Sequence, residues 1–156
     1  LIRYFPGAVI ANNPAFIATL PQGDYTGIRL ARNIIVTPAP TSGFAFYIIS
    51  NTALGGVNTG RVYRSIDDGA TFTETLNLPG SSLYGLSFLD NGMGWVVGGN
   101  VANAGIIKRT NDAGNNWEPT VTVNGGVLRD VHFNSFIADT SNFAIAAAPA
   151  PTSLLG

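Results

Sequence analysis

One segment of this chain returns without a gap 45 positions later. Arg64-Ser65-Ile66-Asp67-Asp68-Gly69-Ala70-Thr71-Phe72 is matched by Arg109-Thr110-Asn111-Asp112-Ala113-Gly114-Asn115-Asn116-Trp117. At the same offset Leu83-Tyr84-Gly85-Leu86-Ser87-Phe88 falls on Leu128-Arg129-Asp130-Val131-His132-Phe133. A fainter third copy sets Ala31-Arg32-Asn33-Ile34-Ile35-Val36 against Leu128 to Phe133. Phe46-Tyr47-Ile48-Ile49 then matches Trp95-Val96-Val97-Gly98 and Phe143-Ala144-Ile145-Ala146. Such a period restricts the fold severely, because each unit must bury its apolar face on a neighbouring unit.

The local pattern inside the units is that of strands. Leu83, Gly85 and Ser87 alternate with Tyr84, Leu86 and Phe88, and the other runs are rich in β-branched and aromatic residues. Leu78-Pro79-Gly80, Asp90-Asn91-Gly92 and Asn124-Gly125-Gly126 punctuate them as turns. No stretch keeps a helical period. The chain is therefore read as all-β, and a period of about 40–50 residues corresponds to propeller blades of four antiparallel strands. Strands are expected at 30–36, 44–50, 60–66 and 71–77 in one copy, and at 82–89, 94–100, 104–110 and 116–123 in the next. Half copies flank them, with strands at 1–5 and 15–20 and at 127–134 and 142–148. The expected organisation is a half blade 1–27, a blade 28–80, a blade 81–125 and a half blade 126–156, about three blade equivalents in all. Closed propellers use about 4–8 blades. Either the segment belongs to a larger propeller, or copies self-associate through their blade edges.

Charge removes several functions. Lys and Arg number 8 and Asp and Glu 9, a net charge of −1 with charged residues at 11%. A nucleic-acid binder needs a basic footprint that this chain lacks. No apolar run approaches the roughly 20 residues of a transmembrane helix. There is no Cys, so no disulfide, thiolate metal site or Cys nucleophile exists.

Ser65-x-Asp67-x-Gly69-x-Thr71-Phe72 and Thr110-x-Asp112-x-Gly114-x-Asn116-Trp117 resemble the Asp-box (bacterial neuraminidase repeat) motif. Gly94-Trp95-Val96-Val97-Gly98-Gly99, followed by Gly105-Ile106-Ile107-Lys108-Arg109-Thr110, is similar to the repeat of the photosystem II assembly/stability factor-like propellers. The resemblance is strongest over residues 60–135. It implies boxes on the blade periphery, and a binding or assembly role exercised elsewhere on the propeller. In physical terms Asp67 and Asp112 are expected to accept backbone N–H groups inside the turn. Gly69 and Gly114 are expected to supply a positive φ, and Phe72 and Trp117 to open the fourth strand and pack inward. A calcium site at Asp67 and Asp68 fits poorly, since Ala113 replaces Asp68 in the second copy. No cofactor and no metal is expected.

Catalytic constellations are not found. The two glutamates, Glu74 and Glu118, both sit beside the boxes as strand residues, so a paired-carboxylate glycosidase site is not expected. The single histidine, His132, lies between Val131 and Phe133 without a nucleophile-elbow pattern. Binding candidates come instead from the first strand of each unit, which lines the channel of a propeller. Arg32, Tyr84 and Arg129 hold equivalent positions in the repeat alignment, and Asp130 follows. They read either as recognition residues or as solvated strand-end charges. Arg64 and Arg109 are expected to pair locally or to face solvent.

The sequence is thus read as a non-catalytic propeller that binds or scaffolds a protein partner. Low charge with abundant Asn, Thr, Gly and Ala places it in an extracytoplasmic or secreted setting. The alternatives are a structural subunit of an extracellular or virion-like surface array, and a carbohydrate-binding, sialidase-like propeller with a glycan ligand.

Overall fold

The computed structural model describes residues 23–32, 43–54, 56–133 and 144–147. Every regular element among them is a strand. No helix there is long and apolar enough to cross a membrane. The chain runs β1 (Asp24–Arg32), β2 (Phe44–Leu54), β3 (Val57–Ser65) and β4 (Thr73–Pro79). It continues with β5 (Ser81–Phe88), β6 (Gly94–Asn100), β7 (Gly105–Thr110), β8 (Val121–Val123), β9 (Asp130–Phe133) and β10 (Ala144–Ala147). Each strand in β1–β4 pairs antiparallel with the next, and the same holds in β5–β8. One parallel bridge, Thr59 to Ser81, links the two meanders into an open mixed sheet. β9 and β10 form a separate antiparallel pair.

The meanders are held face to face by apolar side chains. Tyr47, Ile49, Val62 and Leu76 of the first meet Leu83, Leu86, Val96 and Ile106 of the second in one buried cluster. The opposite face of the second meander packs Val97 against Leu128, Val131 and Phe133, with Trp95 and Ile107 alongside. Successive side chains in a strand point to opposite faces, so a strand covered on both sides must be apolar throughout. Val96 and Val97 are neighbours in β6, and both are wholly buried.

Two glycines set how closely the leading strands approach. A Cβ on Gly85 would stand 2.7 Å from the Asp130 Cα, so β5 and β9 meet nearly backbone to backbone. A Cβ on Gly27 would meet Ile49 at 3.0 Å and Leu86 at 3.1 Å. β1, β5 and β9 consequently lie side by side, each the first strand of its unit.

The strand boundaries depart from expectation most at β1 and β8. The leading strand of the first meander is Asp24–Arg32, not 30–36, so the expected division after residue 27 cuts through it. Gly80, between β4 and β5, has φ +75°. β8 is only Val121–Val123, because Asn116 is engaged in the turn and Pro119 has no N–H to give the ladder. The expected strands 1–5 and 15–20 lie outside the described residues.

Candidate functional site

A bulge in β5 builds the site. Leu83 pairs with Gly98 and Gly85 with Val97, leaving Tyr84 as the extra residue. A bulge of this kind re-aims a side chain and leaves ladder groups unpaired. Here the backbone of Leu83 is satisfied from the first meander. Its N–H donates to Asn51 Oδ1 at 2.8 Å, and its carbonyl accepts from Asn51 Nδ2 at 2.8 Å and Thr26 Oγ1 at 3.0 Å.

Tyr84 then faces a cleft of about 180 Å³ at the start of β5. Asn58, Ser81, Asn100 and Asn103 give it amides and hydroxyls, Val101 and Val127 add apolar surface, and Arg129 closes one side. The Arg129 guanidinium lies 4.5 Å from the centre of the Tyr84 ring. Among the described residues no carboxylate stands within ion-pair distance of it. A guanidinium stacked on an aromatic face keeps its in-plane N–H donors free for a ligand. The arrangement can take a polar ligand carrying carbonyl or carboxylate oxygens.

Of the residues singled out in sequence, Tyr84 and Arg129 are brought together. Asp130 is exposed, and its carboxylate accepts the N–H of Val131 at 2.8 Å. Arg32 is placed elsewhere, which corrects the repeat alignment. β1 carries the same bulge between Tyr25 and Gly27 that β5 carries between Leu83 and Gly85. Thr26 therefore occupies the place of Tyr84. Arg32 pairs with Phe44 at the far end of the strand, about 20 Å away at 3.3 Å per residue.

The two repeated turns share the same bonds around their aspartates. Ser65 Oγ donates to Asp67 Oδ1 at 2.8 Å and accepts from Gly69 N at 2.9 Å. Asp67 in turn accepts from Thr71 N at 2.8 Å and from Thr71 Oγ1 at 2.5 Å. In the second turn Thr110 Oγ1 donates to Asp112 Oδ1 at 2.8 Å and accepts from Gly114 N at 2.9 Å. Asn116 N and Nδ2 donate to Asp112 at 2.8 and 2.7 Å. Gly69 and Gly114 have φ of +86° and +81°. The side-chain and backbone bonds from Thr71 hold the Asp67 carboxyl below its ordinary range. For Asp112, burial pushes upward, but the bonds from Asn116 and Thr110 outweigh it and hold the carboxyl low. Phe72 is half-buried just before β4, and Trp117 packs against the first core cluster, edge-on to Phe88 at 6.1 Å.

Glu74 and Glu118 are exposed and ion-paired, to Arg61 at 3.1 Å and Arg109 at 3.5 Å. His132 is exposed on β9. Among the described residues no group of three or more His, Cys, Asp or Glu is placed to hold a metal ion.

Comparison of the chain with protein-family models, with curated proteins and with solved structures gives no match.

Two features were not legible as site residues. The cleft's amides come from Asn58, Asn100 and Asn103; Asn58 and Asn103 stand at the repeat offset of 45, which was the signal for them. Arg64 does not pair locally: it donates to Ala113 O at 2.8 Å and to Asn115 Oδ1 at 2.9 Å, both on the other meander. The recurrence of Arg at 64 and 109 was the signal for that role.

Proposed function

We propose that the protein is a non-catalytic binding module of propeller blades, which engages a protein partner through the cleft at Tyr84 and Arg129. The observation that carries this reading is the Arg129 guanidinium, stacked on Tyr84 at the cleft and without a carboxylate among the described residues. Arg and Tyr are residue types that dominate protein interfaces, since they combine flat contact area with directed hydrogen bonds. The blade reading is supported by two four-stranded meanders stacked face to face, with β1, β5 and β9 adjacent. The carboxylates of the repeated turns are bonded within the turns themselves, which favours a structural role for them and leaves recognition to the cleft.

Selection of a displayed random-peptide library on the intact protein tests this function. Peptides enriched on the protein should lose about tenfold or more in affinity on Arg129→Ala, and likewise on Tyr84→Ala. Enriched peptides that bind both variants unchanged would remove the cleft from the proposal. Failure to enrich peptides, with hits on a glycan array that depend on Tyr84, would replace the protein partner with a carbohydrate.

A further inference from the structure

Asparagine followed by glycine occurs twice in the chain, at Asn91-Gly92 and at Asn124-Gly125. The dipeptide is chemically labile in water. The glycine nitrogen attacks the carboxamide carbon of the asparagine, since no side chain on the glycine obstructs the approach. Whether it does so in a folded protein depends on what holds the two groups. Here the two sites stand in opposite structural states.

Asn91-Gly92 is fastened on every side. Asn91 Oδ1 accepts the Met93 N–H at 3.0 Å, and Asn91 Nδ2 donates to Met93 Sδ at 3.3 Å. The Gly92 N–H, the group that would attack, donates to Leu89 O at 3.1 Å. The Gly92 carbonyl accepts from Ala113 N at 2.7 Å, and Gly92 is buried. Ala113 is itself gripped from the first meander: its carbonyl accepts from the Tyr47 O–H at 3.0 Å and from Arg64 at 2.8 Å. Nucleophile and electrophile are therefore both held, and bringing them together requires a local opening beside the contact between the meanders.

Asn124-Gly125 is open. Both residues are exposed, in the turn that follows β8. Among the described residues no hydrogen bond engages the Asn124 side chain or the Gly125 N–H. An added Cβ at Gly125 would meet nothing within 4 Å. The chain is fixed on either side of the turn. Val123 pairs with Gly105 in the ladder of β7 and β8, and Leu128 N donates to Gly98 O at 3.0 Å. The movement that ring closure needs is thus confined to the turn and breaks no strand pairing.

We propose that Asn124 is a site of spontaneous modification, converted in the folded protein to an aspartate or isoaspartate residue while Asn91 stays intact. Gly125 N gives its proton to a solvent base and bonds to Asn124 Cγ. The Cγ–Nδ2 bond breaks, and the nitrogen leaves as ammonia. Water then opens the cyclic imide at one of its two carbonyls. One opening gives aspartate; the other gives isoaspartate, in which the main chain runs through the former side chain. Either product adds one negative charge to a chain of net charge −1. The charge enters the connection that carries Val127 and Arg129 to the cleft. The chemistry does not depend on what the cleft binds.

Incubation of the intact protein at mildly alkaline pH, followed by peptide mapping with tandem mass spectrometry, tests the proposal. The same incubation in urea supplies the unfolded reference. In the native protein Asn124 is expected to convert at least about tenfold faster than Asn91. In urea the two rates should converge, because both sites then have the same freedom. Asn124→Ser should leave the native protein without the acidic product. Equal rates at the two sites in the folded protein overturn the proposal. So does an Asn124 that survives in the native protein while it converts in urea, or one that converts in neither. An acidic product that persists in Asn124→Ser assigns the reaction to another residue and overturns it as well.

Discussion

Arg64 and Ala113 are 49 positions apart in sequence and 2.8 Å apart in space, guanidinium nitrogen to carbonyl oxygen. The carbonyl belongs to the wholly buried left-handed residue of the second turn, with φ +60°. Because the turn is internally bonded through Asp112, it presents that carbonyl as a rigid group. The repeated motif is thus a tool for joining units as well as a way of closing a hairpin.

Removing the grip should separate the meanders energetically. Arg64→Ala is expected to cost about 1–3 kcal/mol, the range for a hydrogen bond involving a charged group. Tyr47→Phe, which loses only the hydroxyl, should cost about 1 kcal/mol. Both donate to one oxygen, so the double variant should not be the sum of the singles; a coupling above about 0.5 kcal/mol is expected. Urea unfolding of the four proteins in the cycle measures this. Strict additivity would mean that the two donors act separately.

Acid should loosen the same device. The Asp67 and Asp112 carboxyls are held low in the folded protein, against about 3.9 in an unfolded chain. A carboxyl whose folded value is depressed stabilises the fold fully above its unfolded value, and that stabilisation is lost as pH falls through the folded value. Stability should therefore hold down to about pH 5 and decline below about pH 4. Asp112→Asn should be less stable than the parent at pH 7 and lose less on acidification. Urea midpoints measured from pH 7 down to pH 2.5 would show an unchanged acid limb if the turn carboxylates do not govern it.

The all-β character was legible because short strand-like runs alternate with turn residues along the sequence. The offset of 45 holds between β3 and β7 and between β5 and β9, and the alternation in Leu83 to Phe88 marks a strand that the structure contains as β5. The offset fails at the first strand. Gly27 and Gly85, which occupy the same bulge position, are 58 apart, because the connection from Arg32 to Phe44 is longer than that from Phe88 to Gly94. A longer connection costs little in closure entropy. The apolar run Ile34 to Val36 therefore matches the repeat by sequence where Gly27 is the structural marker, and Arg32 falls at the far end of the strand. Tyr84 and Arg129, 45 positions apart, lie together in the structure. The role of Arg64 is not legible because the sequence does not show that the turn of the second meander rests on β3 of the first.

Glycine substitutions should separate close approach from conformational freedom. Gly56 has φ +81° with nothing within 4 Å of an added Cβ. Gly56→Ala should cost about 1 kcal/mol, the strain of an L residue in a left-handed conformation. At Gly85 the added Cβ would meet backbone atoms alone: 2.7 Å to Asp130 Cα, 2.9 Å to Val131 N and 3.0 Å to Asp130 C. None of these can rotate away, so Gly85→Ala must push β9 off β5. The cluster of Val97, Leu128, Val131 and Phe133 then opens, and Trp95 loses its contact with Phe133. The expected cost is about 2–4 kcal/mol, with amide exchange in β9 rising more than in β2 or β3. Equal costs for Gly56→Ala and Gly85→Ala, with β9 protected alike in both, would show that β5 and β9 do not need the close approach.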